Sequence, residues 1–106
     1  MFISGQVPED ANGKLAFPGD FEAQALKVFE NLKIVVEEAG GTVSDIFKLT
    51  VLLTDQSQWK PFSQLRGRVF TQWGMKHPPA STLLIVKSLA KPEWMVEIEG
   101  IALLRK

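Results

Sequence analysis

The sequence predicts an α+β domain in which one mixed β-sheet carries two helices on one face. Three observations predict it. Two segments, 21–39 and 59–73, repeat their apolar residues at helical spacing. Three others, 46–54, 81–86 and 94–104, are β-branched and apolar over strand lengths. With two short N-terminal strands added, the order is strand–strand–helix–strand–helix–strand–strand, the pattern of an α+β layer.

The bulk properties fit one domain spanning residues 1–106. Twelve basic and twelve acidic residues cancel. No global field recruits nucleic acid or an anionic membrane, so neither is an expected partner. With no cysteine there is no disulfide framework, no thiol nucleophile and no cysteine-based zinc site. No signal peptide is read at the start, and no apolar run is long enough to span a bilayer. A soluble cytoplasmic protein is the expectation.

Residues 1–4 are apolar, stop at Gly5 and read as a strand end. Residues 7–15 hold Pro8, Asp10, Asn12 and Gly13, a turn-rich excursion. Residues 15–17 are expected to return as a second short strand before Pro18-Gly19 breaks it. Asp20 is the expected N-cap of the first helix. Behind it Phe21, Ala25, Val28, Leu32, Val35 and Ala39 define one helical face, widened by Leu26, Phe29 and Val36. Gly40-Gly41 supplies the left-handed residue that ends the helix.

In the next strand, Phe47, Leu49, Val51 and Leu53 are predicted to share the core face. Ile46, Lys48, Thr50 and Leu52 form the other, which is mixed rather than polar. A sheet with helices on one side usually leaves its second face polar, so this mixed face predicts cover by another subunit. The second helix starts after Asp55-Gln56-Ser57 with Pro61 in its first turn, where a missing N–H costs nothing. Trp59, Phe62, Leu65, Arg66, Val69, Phe70 and Trp73 follow at helical spacing, with Arg66 and Arg68 placed on the rim. His77-Pro78-Pro79 forces extended geometry before the strand at 81–86. In the last strand Trp94, Val96, Ile98, Gly100, Ala102 and Leu104 face the helices. Met95, Glu97, Glu99, Ile101 and Leu103 face the opposite way.

Chemistry-bearing residues are few. Glu97 and Glu99 stand about 7 Å apart at a rise of roughly 3.3 Å per residue. One reading makes a carboxyl with a raised pKa a general base or acid. The other leaves both exposed or paired with Lys and Arg. Two carboxylates on one strand cannot flank a sugar from opposite faces, which excludes a paired-carboxylate glycosidase. The single histidine, His77, cannot build a zinc site alone and reads as a loop residue. Ser4, Ser63, Ser81 and Ser88 lie in no nucleophile elbow. No phosphate-binding glycine fingerprint exists, and no cofactor or metal is expected. Trp59, Trp73 and Trp94, without a basic groove, read as packing residues rather than base-stacking platforms.

Several segments together resemble the Rid family, also called YjgF/YER057c/UK114. They are Phe2-Ile3-Ser4-Gly5-Gln6-Val7-Pro8, then Gln24 through Asn31-Leu32-Lys33 to Glu38-Ala39-Gly40. Asp45-Ile46-Phe47-Lys48-Leu49-Thr50-Val51, Leu53-Thr54-Asp55, Pro78-Pro79-Ala80 and Val96-Glu97-Ile98-Glu99-Gly100-Ile101-Ala102 complete the series. The resemblance implies a chorismate-mutase-like fold and a homotrimer whose sheets pack into a central barrel, with three clefts between subunits. It also implies hydrolysis of reactive enamines and imines to 2-keto acids and ammonia, with some members described as ribonucleases or translation inhibitors.

Residue by residue, the carry-over is partial. Glu97 matches the glutamate that positions or activates water, and Ser4-Gly5 matches the first-strand part of the cleft. Ser81 stands where the deaminases carry an arginine that clamps the substrate carboxylate. A serine supplies neither its charge nor its fork, and Lys48, Lys87 and Arg66 are the cations that could reach into the cleft instead, though nothing in the sequence selects one. Ser63 stands where an asparagine lines the cleft, and Leu83 where a cysteine does. The family's tyrosine-bearing segment before the first strand has no counterpart in residues 1–106. The expectation is therefore a homotrimer that binds a small metabolite in intersubunit clefts, without efficient 2-imino acid deaminase activity. An enamine or imine deaminase, or another hydrolase using Glu97, is the alternative. An endoribonuclease or translation-inhibitor role is a further one, which the neutral charge balance opposes.

Overall fold

The computed structural model describes residues 1–104. Its elements are β1 (Phe2–Gln6), α1 (Phe21–Glu38), β2 (Ile46–Leu53), α2 (Trp59–Gln72), β3 (Ala80–Ile85) and β4 (Val96–Ala102). Single 3-10 turns, Val43–Asp45 and Gln56–Gln58, precede β2 and α2. The four strands form one sheet in the order β1-β4-β2-β3. β4 runs antiparallel to β1 and β2, whereas β3 runs parallel to β2. The sheet is thus mixed, and α2 is the crossover between its two parallel strands.

Capping defines α1. The Asp20 carboxylate accepts the Ala23 N–H at 3.0 Å. At the other end Gly40 adopts φ 91, and the N–H groups of Gly40 and Gly41 donate back to the carbonyls of Glu37 and Val36 at 3.0 and 2.9 Å. That pair of bonds is a Schellman closure, which requires a residue at ease in left-handed geometry. The α1 core face differs from the expected stripe. Phe21, Gln24, Ala25, Val28, Phe29, Leu32 and Val36 are buried, while Val35 is half-buried and Leu26 and Ala39 are exposed. The buried band is centred one position beyond the four–three stripe, so Val36 replaces Val35.

Gln24 is fully buried, and its amide bridges three separate segments. It donates to the carbonyls of Phe17 and Glu93 and accepts the Met95 N–H at 2.9 Å. Buried polar groups are tolerated when paired in this way.

Both helices cover the same sheet face. Ile3, Leu49, Val51, Leu53, Val96, Ile98 and Ala102 join the helices' buried residues in one core. Phe29 stacks on Phe62 at 5.9 Å and meets Trp73 edge-on at 5.8 Å, which locks α1 against α2. On the opposite face Phe2 is 84% exposed and Leu84 50% exposed, with Leu52 and Ile101 half-buried. No helix of the described residues is long and apolar enough to cross a membrane.

Three further expectations are corrected. Residues 15–17 form no strand; Leu15 makes only a single bridge to Glu9, and Phe17 at φ 59 turns the chain out of extended geometry. Phe47 is not in the core. The β2–β4 register shifts between Ile46 and Lys48, which buries Ile46 and leaves Phe47 52% exposed. An extra residue in a strand reverses the alternation on one side of it. Finally, β4 is shorter than expected: Trp94 is buried but lies before the strand.

Candidate functional site

The β1–β4 edge carries the first group of candidate residues. Ile3 pairs with Gly100 and Gln6 with Ile98, so Ser4 and Gly5 together oppose the single residue Glu99. This is a bulge, and bulges re-aim the residues around them. The Glu97 side chain crosses from β4 to lie directly over Gly5. A Cβ built on Gly5 would overlap the Glu97 carboxylate and sit 3.1 Å from its Cγ. The glycine therefore makes room for the acid.

Burial pushes the Glu97 carboxyl above its ordinary value, and the Glu99 carboxylate two residues along adds to the shift. Among the described residues no hydrogen bond or ion pair engages the Glu97 carboxylate. Half-buried and unpartnered, it differs from Glu99, which is exposed. Of the two sequence readings, the ion-paired one does not describe Glu97. A hollow of about 340 Å³ opens beside Glu99 on the uncovered face, lined by Phe2, Ser4, Lys48, Thr50, Glu99 and Ile101. Lys48 Nζ donates to Thr82 Oγ1 at 2.6 Å across that face.

The second group lies elsewhere. In the parallel register Ser81 pairs with Leu49 and Leu83 with Val51, and side chains of paired residues point to the same side. Leu49 and Val51 are core residues, so Ser81 and Leu83 belong to the helix side of the sheet. Leu83 packs against the core there. Ser63 is half-buried on α2. The side chain that reaches Ser81 is Arg66, whose Nη1 donates to Ser81 Oγ at 3.4 Å. Its guanidinium carbon sits over the Phe62 ring at 5.7 Å.

The structure therefore splits the candidate residues. Ser4, Gly5 and Glu97 sit together at the β1–β4 edge. Ser81 and Leu83 lie on the helix side of β3, the other face, and Ser63 lies on α2. Three strand spacings separate the two edges, roughly 14 Å. His77 is exposed in the loop before β3. Among the described residues no three His, Cys, Asp or Glu side chains gather to hold a metal ion.

Arg66, placed on the rim by its helical spacing, is half-buried, and of the three cations able to reach a cleft it is the one that bonds to β3 at Ser81. Positions three and four away from it hold Phe62, Ser63, Val69 and Phe70, and the whole of α2 contains no acidic residue. An arginine without a helical acid partner must find another use for its donors. Arg68 found one in Glu22 of α1, at 2.8 Å.

The family model described as Endoribonuclease L-PSP matches residues 1–104. A RutC family protein from Pyrococcus abyssi is 31% identical over 102 residues, covering 96% of this chain and 76% of that protein. The YjgF gene product of E. coli superposes with a TM-score of 0.88 at 34% identity, covering 99% of this chain and 80% of that one. E. coli TdcF, solved with bound serine, gives a TM-score of 0.88 at 33% identity, with coverage of 99% and 80%.

Proposed function

The chain belongs to the Endoribonuclease L-PSP family, that of YjgF and the Rid proteins, and from that premise we propose that it works as a homotrimer binding a small metabolite in clefts between its copies. One observation carries the reading: the two groups of site residues lie at opposite edges and on opposite faces of one sheet. No ligand of metabolite size touches both within a single copy. A neighbouring copy that brings its α2–β3 edge to the β1–β4 edge of the first would complete a site. The uncovered apolar residues Phe2, Leu52, Leu84 and Ile101 support the same arrangement, because burying them drives association. The bound serine of TdcF supports a ligand of amino-acid size. A cytoplasmic location belongs to the same proposal.

Efficient deamination of 2-imino acids is not part of it, since Ser81 cannot supply a guanidinium from β3. Sedimentation equilibrium of the purified protein at micromolar concentration tests the assembly. Three times the 11.8 kDa chain mass is expected, and a stable monomer overturns the reading.

The unpartnered, raised carboxyl of Glu97 favours a second reading, hydrolysis. Glu97 would accept a proton from a water whose oxygen adds to an imine carbon and pass it to the imine nitrogen; moving the proton of the new hydroxyl to the nitrogen by the same route would break the C–N bond, releasing ammonia and leaving a ketone. Replacing Glu97→Gln then abolishes whatever turnover the protein shows. Unchanged turnover removes this reading and leaves metabolite binding in place.

A further inference from the structure

We propose that Arg66 is the residue with which this chain recognises a carboxylate-bearing small molecule, held where α2 meets β3. The guanidinium has no acid partner: the ion pairs among the described residues engage Lys27, Arg68 and Lys91. It offers five N–H donors, and one is used, in a long bond to the Ser81 hydroxyl. A neutral hydroxyl at 3.4 Å orients the group without neutralising it.

Its position is nonetheless fixed. Phe62 is fully buried, held by its stack on Phe29, and it presents its ring to the guanidinium at 5.7 Å. Cation–π contact with the ring and a bond to a strand hydroxyl leave the head of this half-buried residue pre-aimed. That is what bidentate carboxylate recognition requires: a planar fork, partly desolvated, with free donors. One charge matches a monoanion. The groups it touches, the Phe62 ring and the Ser81 hydroxyl, are neutral, so its charge is left for the carboxylate of a small acid.

The inference deepens the cleft reading and rests on it only for what surrounds the rest of the ligand. Because the cation comes from the helix and not from the strand, a bound carboxylate is anchored towards α2. Recognition of the acid group alone does not restore the family's deaminase chemistry.

The test titrates the full chain with pyruvate by calorimetry, and with inorganic phosphate in a parallel series. Wild type is expected to bind pyruvate saturably. Arg66→Gln should weaken binding by about tenfold or more, the usual scale for losing a hydrogen-bonded charge. Arg66→Lys keeps the charge but loses the fork and should fall between them. It also decides the matter if the glutamine variant fails to fold. Arg68→Gln, which removes an equal charge already paired with Glu22, should bind as wild type does. Pyruvate affinity unchanged in folded Arg66 variants overturns the proposal. So does wild type that ignores pyruvate, or that binds phosphate and not pyruvate. Sedimentation of the same samples separates the two readings. A trimer without pyruvate binding sinks Arg66 alone, and a monomer that binds pyruvate through Arg66 sinks the assembly alone.

Discussion

The two edges of the sheet hold opposite charges by opposite means. At the β1–β4 edge a carboxylate is pressed over a glycine, loses water on one side, and its affinity for protons rises. At the α2–β3 edge a guanidinium rests on an aromatic ring and stays wet enough to keep its donors available. Neither is neutralised inside the chain. Structural charges are usually paired at little net gain, so two prepared and unpaired ones at separate edges are better explained by use than by stability. In the proposed cleft each edge would supply half of what a polar metabolite needs, and the fold keeps the halves apart.

The largest way to break this comparison is to keep the copies apart. Leu84 is 50% exposed on the open face of β3, beside Leu52 of β2. In a lone copy Leu84→Asp is a surface change, worth within about 0.5 kcal/mol of nothing. Within a packed trimer it buries a carboxylate without a partner, at a cost of several kcal/mol. The expected result is a folded monomer by sedimentation, with any Glu97-dependent turnover gone. A variant that stays trimeric would show that this face is not the interface.

A smaller change separates the edges chemically. Gly5→Ala places a methyl group where the Glu97 carboxylate lies. The acid's flexible end must swing away. The clash costs about 1 kcal/mol or somewhat more, partly offset by the lower entropy of the unfolded chain. The melting temperature should move little, whereas a displaced general base should cut turnover about tenfold or more. Pyruvate affinity at Arg66 should change less than threefold. Equal losses in both assays would mean that the edges do not act as separate halves.

How much of this was legible in the sequence depended on where periodicity was intact. The two helices, the Asp20 cap and the alternation of β4 followed from spacing, because each is a local rule with a local cause. Phe47 was misplaced because alternation assumes an unbroken register, and the shift beside Ile46 is set by the partner strand rather than by β2 itself. The 15–17 strand failed for a related reason: its residues suit a strand, but Phe17 is turned out by the Pro18-Gly19 bend. Glu97 and Ser4-Gly5 were placed together through the family resemblance, and the bulge supplies the physical cause. The split between the two edges was not legible. It requires the strand order, which connects β3 to β2 and leaves β1 at the far side. Arg66 could not be singled out from Lys48 and Lys87 as a cleft cation by sequence, because its partner sits fifteen residues away on β3.

The smallest effect carries the sharpest sign. Burial raises the Glu97 carboxyl, with Glu99 adding to it, so the folded chain keeps this proton at a pH where the unfolded chain has released it. The associated stability is fully present below the unfolded value, near 4.3 for a free glutamate, and is lost as pH rises through the folded value. At neutral pH Glu97 thus works against folding, and Glu97→Gln should melt higher than wild type. The gap should close as the pH falls below the ordinary carboxyl range. Glu99 is present in both proteins, so its contribution cancels to first order. The other elements against Glu97 bring no charge: Ser4 and Gly5 lie on β1, and Leu52 opposite on β2. Calorimetric melting at pH 4 and pH 7 measures the difference. If the sign inverts at pH 7 and stays inverted when Lys27 and Lys48, the lysines lining the hollows at this edge, are replaced by Met, a cation from another copy reaches Glu97. The trimer then brings the α2–β3 side of one copy directly against the β1–β4 side of the next. A gap of the expected sign, in a protein that sediments as a trimer, means that the two charges stay separated by the space a ligand fills.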